Sequence, residues 1–248
     1  MASATNLAAA DAPSNTILEL TTWHLHNSAE NQGTRVAAYL DSGLGPALSR
    51  AGAKLAGAFA NVIGQEGPYY VTLAEYPSFK AYGDAVTALR SDPAHEQEIA
   101  KLSSGAAFPF GRVESSLLRS FDIMPRVTYP EAGEKRPPRV FELRTYESQS
   151  FLTLRRKVAM FNNGEARIFE RLGMRPVFFG ETFVGPRQPN LHYMLSYDDL
   201  AARDRLWGEF GSDPEWRKLS GEPQLKDAEI VANISNAILR PLAFSNIR

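Results

Sequence analysis

Two strand-like runs and four histidines hold the candidate side chains for chemistry in this chain. The run "VFELRTY" (140–146) contains Glu142, Arg144 and Tyr146 at alternate positions. A similar run, "ILELTTW" (17–23), places Glu19 and Trp23 in matching positions. Side chains two apart on a strand share a face. Val140, Glu142, Arg144 and Tyr146 therefore share one face, and Phe141, Leu143 and Thr145 the other. In the first run Ile17, Glu19, Thr21 and Trp23 go together. The apolar face is expected to meet helices and the more polar one to line an interior space. A carboxylate there must be paired, neutralised or wet. Pairing of Arg144 with Glu19 or Glu142 would fasten two sheets together. The other reading is a polar floor for a ligand, on which a glutamate with a raised pKa acts as acid or base.

The histidines are His24, His26, His95 and His192. His24 and His26 share a face if their strand continues, but two imidazoles without nearby carboxylates are a weak metal signal and read as a surface pair. No metal site is expected. His192 lies in "NLHYMLSY" with Met194 and Ser196 beside it. It is a candidate for the interior, either as a satisfied sheet histidine or as an axial ligand to haem. Trp207 and Trp216 fall on expected core positions of helices. There is no glycine-rich phosphate loop, G-x-S-x-G elbow or H-E-x-x-H.

Composition narrows the function classes further. Lys+Arg total 27 and Asp+Glu 28, so the net charge is −1 and no broad basic surface for nucleic acid is expected. The absence of cysteine excludes disulfides, zinc-thiolate sites and thiol nucleophiles. No apolar run approaches the ~20 residues of a membrane span. Residues 1–16, "MASATNLAAADAPSNT", lack the basic start and apolar stretch of a signal peptide and read as a flexible arm. Their composition suits a cytoplasmic protein, or an exported one whose signal has been removed.

The elements that must position these residues come in two copies. Ser91-Asp92-Pro93 and Ser212-Asp213-Pro214 are 121 positions apart (212 − 91), and the same offset aligns Gly52 with Gly173, Gly64 with Gly185 and Pro68 with Pro189. Upstream, "ILELTTW" and "VFELRTY" match at an offset of 123 (140 − 17). Such a near-constant register marks a duplication. Within the second copy, Leu154, Val158, Phe161, Ile168 and Leu172 recur at helical spacing, with a bend expected at Asn162-Asn163-Gly164. Two strands follow, "RPVFFGETFVG" and "LHYMLSYD". A second helix comes next, with Leu200, Arg203, Trp207 and Phe210 on one stripe. Its counterpart carries Phe79, Tyr82, Val86 and Leu89. Each Ser-Asp-Pro then starts a short helix, the aspartate capping it and the proline at its first position. A last strand closes each copy. The β-α-β-β-α-β order is ferredoxin-like.

The segments "VFELRTYE", "NLHYMLSYDDLAARDRLWGEF" and "SDPEW" resemble the NIPSNAP family, and the match covers most of 140–240. The first copy is similar to a second, diverged unit, with His95 standing where the pattern has Trp216. The resemblance implies an α+β fold of the dimeric α/β-barrel superfamily. Here two tandem ferredoxin-like units would pair their sheets within one chain. Expected boundaries are an arm at 1–16, a first domain at 17–123, a proline-rich linker at 124–139 and the NIPSNAP domain at 140–248. The function expected is small-molecule or protein binding with no cofactor. The alternatives are a cofactor-independent, monooxygenase-like enzyme acting on a small apolar or aromatic compound in the lumen, and a haem protein. Glu19, Trp23, Glu142, Arg144, Tyr146 and His192 are the expected lumen residues, and further homo-oligomerisation stays open.

Overall fold

A computed structural model describes residues 14–27, 31–105, 107–129 and 137–248. Most of the expected arm (1–13) and the middle of the expected linker (130–136) lie outside the described residues. The ends flanking both are tied down. Thr16 is fully buried, its N–H donating to Ser120 Oγ at 2.9 Å, and Val127 is buried in the interior.

The first half runs β1 (Ile17–His24), α1 (Gln32–Ala38), α2 (Gly45–Arg50), β2 (Lys54–Ile63), β3 (Tyr69–Tyr76), α3 (Phe79–Arg90), α4 (Pro93–Ser103) and β4 (Arg112–Ser120). The second repeats the order with β5 (Val140–Glu147), α5 (Phe151–Met160), α6 (Ala166–Arg171), β6 (Arg175–Val184), β7 (Asn190–Tyr197), α7 (Leu200–Ser212) and α8 (Pro214–Ser220). It then adds a one-turn α9 (Asp227–Ile230) before β8 (Asn233–Pro241). In each half the first helix is split by a π-helical turn, Tyr39–Leu44 and Phe161–Glu165. The second turn covers Asn162-Asn163-Gly164, where a bend is expected. The Ser-Asp-Pro reading holds: Asp92 accepts from the N–H groups of Ala94 and His95, and Asp213 from those of Glu215 and Trp216.

All eight strands form one closed barrel in the order β1-β3-β2-β8-β5-β7-β6-β4. Every pairing is antiparallel. Two four-stranded sheets, β4-β1-β3-β2 and β8-β5-β7-β6, meet at two seams, β2 with β8 and β4 with β6. Closure within one chain leaves no open sheet edge in the barrel. The 121-residue repeat is written into the backbone as well. Glu66 and Arg187 both take left-handed φ values, 56° and 59°, and Gly52 and Gly173 take 76° and 82°.

The barrel interior and the helix-covered outside are separate cores. Leu18, Leu20, Phe59, Val71, Leu73, Leu118, Phe141, Phe178, Met194 and Leu239 form an interior cluster drawn from all eight strands and from no helix. Outside the second sheet, Tyr146, Tyr193, Leu195 and Tyr197 pack on Leu154, Phe161, Phe169, Leu206 and Phe210 of the helical layer. The first sheet carries two smaller outer clusters around Leu48 and Ala85 and around Val36 and Leu40. Two stripe residues differ from expectation: Phe79 and Leu200, at the starts of α3 and α7, are exposed.

This arrangement reverses the expected strand faces. Phe141 and Leu143 point into the lumen, while Glu142 and Tyr146 meet the helices. In β1, Leu18 and Leu20 point inward. Ile17 and Trp23 pack on the helical layer, and Glu19 accepts a hydrogen bond from Tyr76, which packs there too. Both faces of these strands are buried, so the rule that polar residues mark the less packed face does not apply.

Candidate functional site

Of the six expected lumen residues, only His192 faces the lumen. Glu142, Arg144 and Tyr146 are brought together, but beneath α7. Glu142 is 0% exposed and accepts from Arg203 Nη2 at 2.6 Å, Arg144 Nη1 at 2.8 Å, Trp207 Nε1 at 2.9 Å and Asn236 Nδ2 at 2.9 Å. Burial alone would raise its pKa. The hydrogen bonds and charges of Arg203 and Arg144 outweigh burial and bring it down to about 2. Glu142 is therefore held as an anion by its partners, which favours the ion-pair reading over the acid/base role. Arg144 does not join the two sheets. It bonds Glu142 and the Tyr146 hydroxyl on its own strand and lies 4.5 Å over the Trp207 ring. Glu19 and Trp23 sit in the first half, Trp23 donating to Thr72 Oγ1 at 3.2 Å.

The lumen itself is packed at one end and open at the other. At the packed end, Val127 and Ile247 join the interior cluster, and the Phe59 and Phe141 rings meet at 5.0 Å. At the opposite end lies a cavity of about 590 Å³, within the ~300–1,000 Å³ usual for small-molecule sites. Leu20, Val71, Leu143 and Ala237 give it an apolar floor. Thr22, Ser116, Thr145 and Ser235 stand among its walls, and Glu66, Arg112, Glu114 and Arg187 are its four charged lining residues. The β2–β3 and β6–β7 hairpins place the left-handed Glu66 and Arg187 on the rim at equivalent points of the repeat.

Two imidazoles line this cavity. His192 is 7% exposed; its Nδ1 is 2.9 Å from Thr145 Oγ1, and its Nε2 is buried without a partner. Burial first, and then the Arg187 charge, push its pKa down to about 3, so it is neutral at ordinary pH. His24 places Nε2 3.0 Å from Glu114 Oε2, while its Nδ1 is buried and unpartnered. Hydrogen bonds from His24 and then Arg112 hold the Glu114 carboxyl below its ordinary range. A carboxylate only accepts, so Nε2 of His24 carries the hydrogen. The expected surface pair thus divides: His24 is buried at the mouth, and His26 is exposed. Arg112 bonds Glu66 and, at 3.0 Å, Glu114, and Arg187 Nη1 reaches Ser235 Oγ at 3.3 Å and Glu147 Oε1 at 3.6 Å.

A second cavity of about 350 Å³ lies between α2, β2 and the C-terminal segment. None of the unpartnered buried polar atoms lines it. Among the described residues no group of three or more His, Asp or Glu could hold a metal ion. No helix among them is long and apolar enough to cross a membrane.

A sequence model of the NIPSNAP family matches residues 141–246. The chain carries a NIPSNAP domain. The match coincides with the β5–β8 sheet and its helices, so the NIPSNAP half supplies His192, Thr145 and Arg187 of the cavity, and the other half supplies His24, Glu114 and Arg112. Among solved structures, a proposed monooxygenase from Lactobacillus acidophilus is 11% identical over 92% of this chain and 94% of its own, with a TM-score of 0.61. Another, from Fusobacterium nucleatum, is 10% identical over 92% and 93%, with a TM-score of 0.57. Both establish a shared barrel fold. A NIPSNAP-like domain protein from Burkholderia xenovorans is 22% identical over 43% of this chain and 88% of its own, with a TM-score of 0.39. No curated protein matches.

Proposed function

We propose that this NIPSNAP-domain barrel binds a small, mainly apolar molecule carrying one hydrogen-bonding group, in the open end of its lumen. The carrying observation is the unpartnered Nε2 of a neutral, buried His192 beside a cavity of about 590 Å³. Leaving a buried ring nitrogen unbonded costs about 1–3 kcal/mol, which a ligand hydroxyl or carbonyl would recover. The apolar floor favours an aliphatic or aromatic body. Arg112 pairs with Glu66 and Glu114, and Arg187 with Glu147, so no charged ligand group is demanded. Glu19, Trp23, Glu142, Arg144 and Tyr146 support the fold of each half in this reading and do not touch the ligand.

Saturation-transfer NMR with neutral bicyclic compounds, 2-naphthol and 2-tetralone, tests this. Binding to the wild type is expected, with loss in Ala237→Phe, which fills the floor. Absence of binding, or binding that Ala237→Phe leaves intact, overturns it. Haem is less well supported, because four charged side chains line the space its macrocycle would need. A Soret band after haem addition, abolished in His192→Val, would revive that reading.

A further inference from the structure

We propose that the open end of the lumen is a proton-transfer site: His24, oriented by Glu114, removes a proton from the carbon next to a carbonyl group, and His192 hydrogen-bonds the carbonyl oxygen. This rests on the ligand-binding reading above and adds a reaction to it.

The two imidazoles are differently prepared. Glu114 fixes a hydrogen of His24 on Nε2 at 3.0 Å, so in the neutral ring the lone pair lies on the unpartnered Nδ1. This is a base held in one tautomer by a carboxylate, the arrangement that general-base histidines need. His192 has no carboxylate. With the Thr145 hydroxyl donating to its Nδ1 at 2.9 Å, its Nε2–H becomes a neutral donor in a poorly hydrated place. Such a donor stabilises an oxygen that gains charge in a transition state.

The repeat sharpens the assignment. At the offsets that relate the halves, Val71 stands where His192 does, and Glu147 stands where His24 does. The lumen therefore has one base and one donor. They enter the same cavity from β1 and β7, on opposite halves. The groups facing His24 are Glu114 and Arg112 from β4, Glu66 from the β2–β3 hairpin and the Tyr69 ring, whose centroid is 6.0 Å away.

The step balances without a co-reactant. The C–H bond breaks as the N–H bond forms at Nδ1, and the C–H electron pair moves into a carbon–carbon double bond. The carbonyl π pair becomes an enolate lone pair on the oxygen facing His192. Return of a proton to the same carbon gives exchange with solvent; return to a conjugated carbon gives an isomer. The substrate class is thus a small, neutral, apolar carbonyl compound with an acidic α-hydrogen.

Hydrogen–deuterium exchange at the α-carbons of 2-tetralone in D2O, followed by proton NMR, tests the proposal. The wild type is expected to accelerate exchange about 100-fold over buffer, the low end for general-base catalysis. His24→Gln should retain binding and lose that acceleration. Glu114 acts through His24 and is a positioning residue. Glu114→Gln, at a half-exposed side chain, should lower the saturated rate about tenfold with unchanged half-saturation and melting temperature. Binding without exchange, or undiminished exchange in both variants, overturns the proton-transfer step and leaves the ligand site standing. If 2-tetralone does not bind, both readings fall.

Discussion

His192 and Glu142 respond to acid by the same logic, one starting neutral and the other as an anion. His192 is neutral in the fold, with a pKa of about 3 against an ordinary 6.5. Between those values the unfolded chain takes up a proton that the native state refuses, so stability falls as pH drops below about 6.5. Glu142, at about 2 against an ordinary 4.5, adds a second loss over that lower window. Replacement by the residue at the equivalent point of the repeat, His192→Val, should therefore remove on the order of 2 kcal/mol of the decline between pH 6.5 and 4.5. The Glu142 contribution below pH 4.5 should remain. Urea titrations at several pH values measure both. An unchanged slope above pH 4.5 would show that His192 protonates freely in the native state.

At the scale of elements, repeats, caps and the succession of helices and strands were readable because each rests on local chemistry. The strand faces were not. β7 is buried at every position, and β5 is buried or half-buried throughout. Alternation thus separates two faces without saying which meets helices. The deciding clue lay in α7, where Arg203 shares a stripe with Trp207 and Phe210. An arginine on a packed stripe needs a carboxylate across from it, and Glu142 is the one. The mouth residues Glu66, Arg112, Glu114 and Arg187 gave no comparable sign, since only barrel closure brings β4 and the two hairpins that carry them together. The same outer layer of the NIPSNAP half buries Lys157, 1% exposed, with Nζ 2.9 Å from Glu165 Oε2. Burial disfavours the Lys157 charge, but the Glu165 carboxylate outweighs it and holds the ammonium protonated. Breaking such a pair from one side leaves a buried charge. Lys157→Met is expected to cost about 3–5 kcal/mol, whereas Lys157→Met with Glu165→Leu should come close to wild type. Denaturant midpoints of the three proteins decide it, and additive losses would mean that the two side chains do not act as a pair.

On the scale of the whole molecule, closing two sheets within one chain frees the halves to diverge. A lumen made by two identical chains would carry every residue twice. Here Val71 faces His192 across the repeat and Ser235 corresponds to Glu114, so the open end can hold unlike groups. The other end is sealed by chain from outside the strands, Val127 beyond β4 and Ile247 beyond β8. Ile247 is 0% exposed, and beside it Ser245 Oγ accepts from the Ala58 N–H at 3.0 Å and donates to the Ile247 carbonyl at 2.9 Å. The C-terminal segment thus ties the NIPSNAP half to β2 of its partner and closes the lumen below. Ile247→Ala should cost about 2–4 kcal/mol through lost packing and the cavity left behind, while Val62→Ala, at an exposed site, should cost almost nothing. Because Ile247 does not line the open end, 2-naphthol binding to folded Ile247→Ala should match the wild type. Loss of binding together with stability would mean that the two ends of the lumen are not independent, and that the plug shapes the site from the far side of the core.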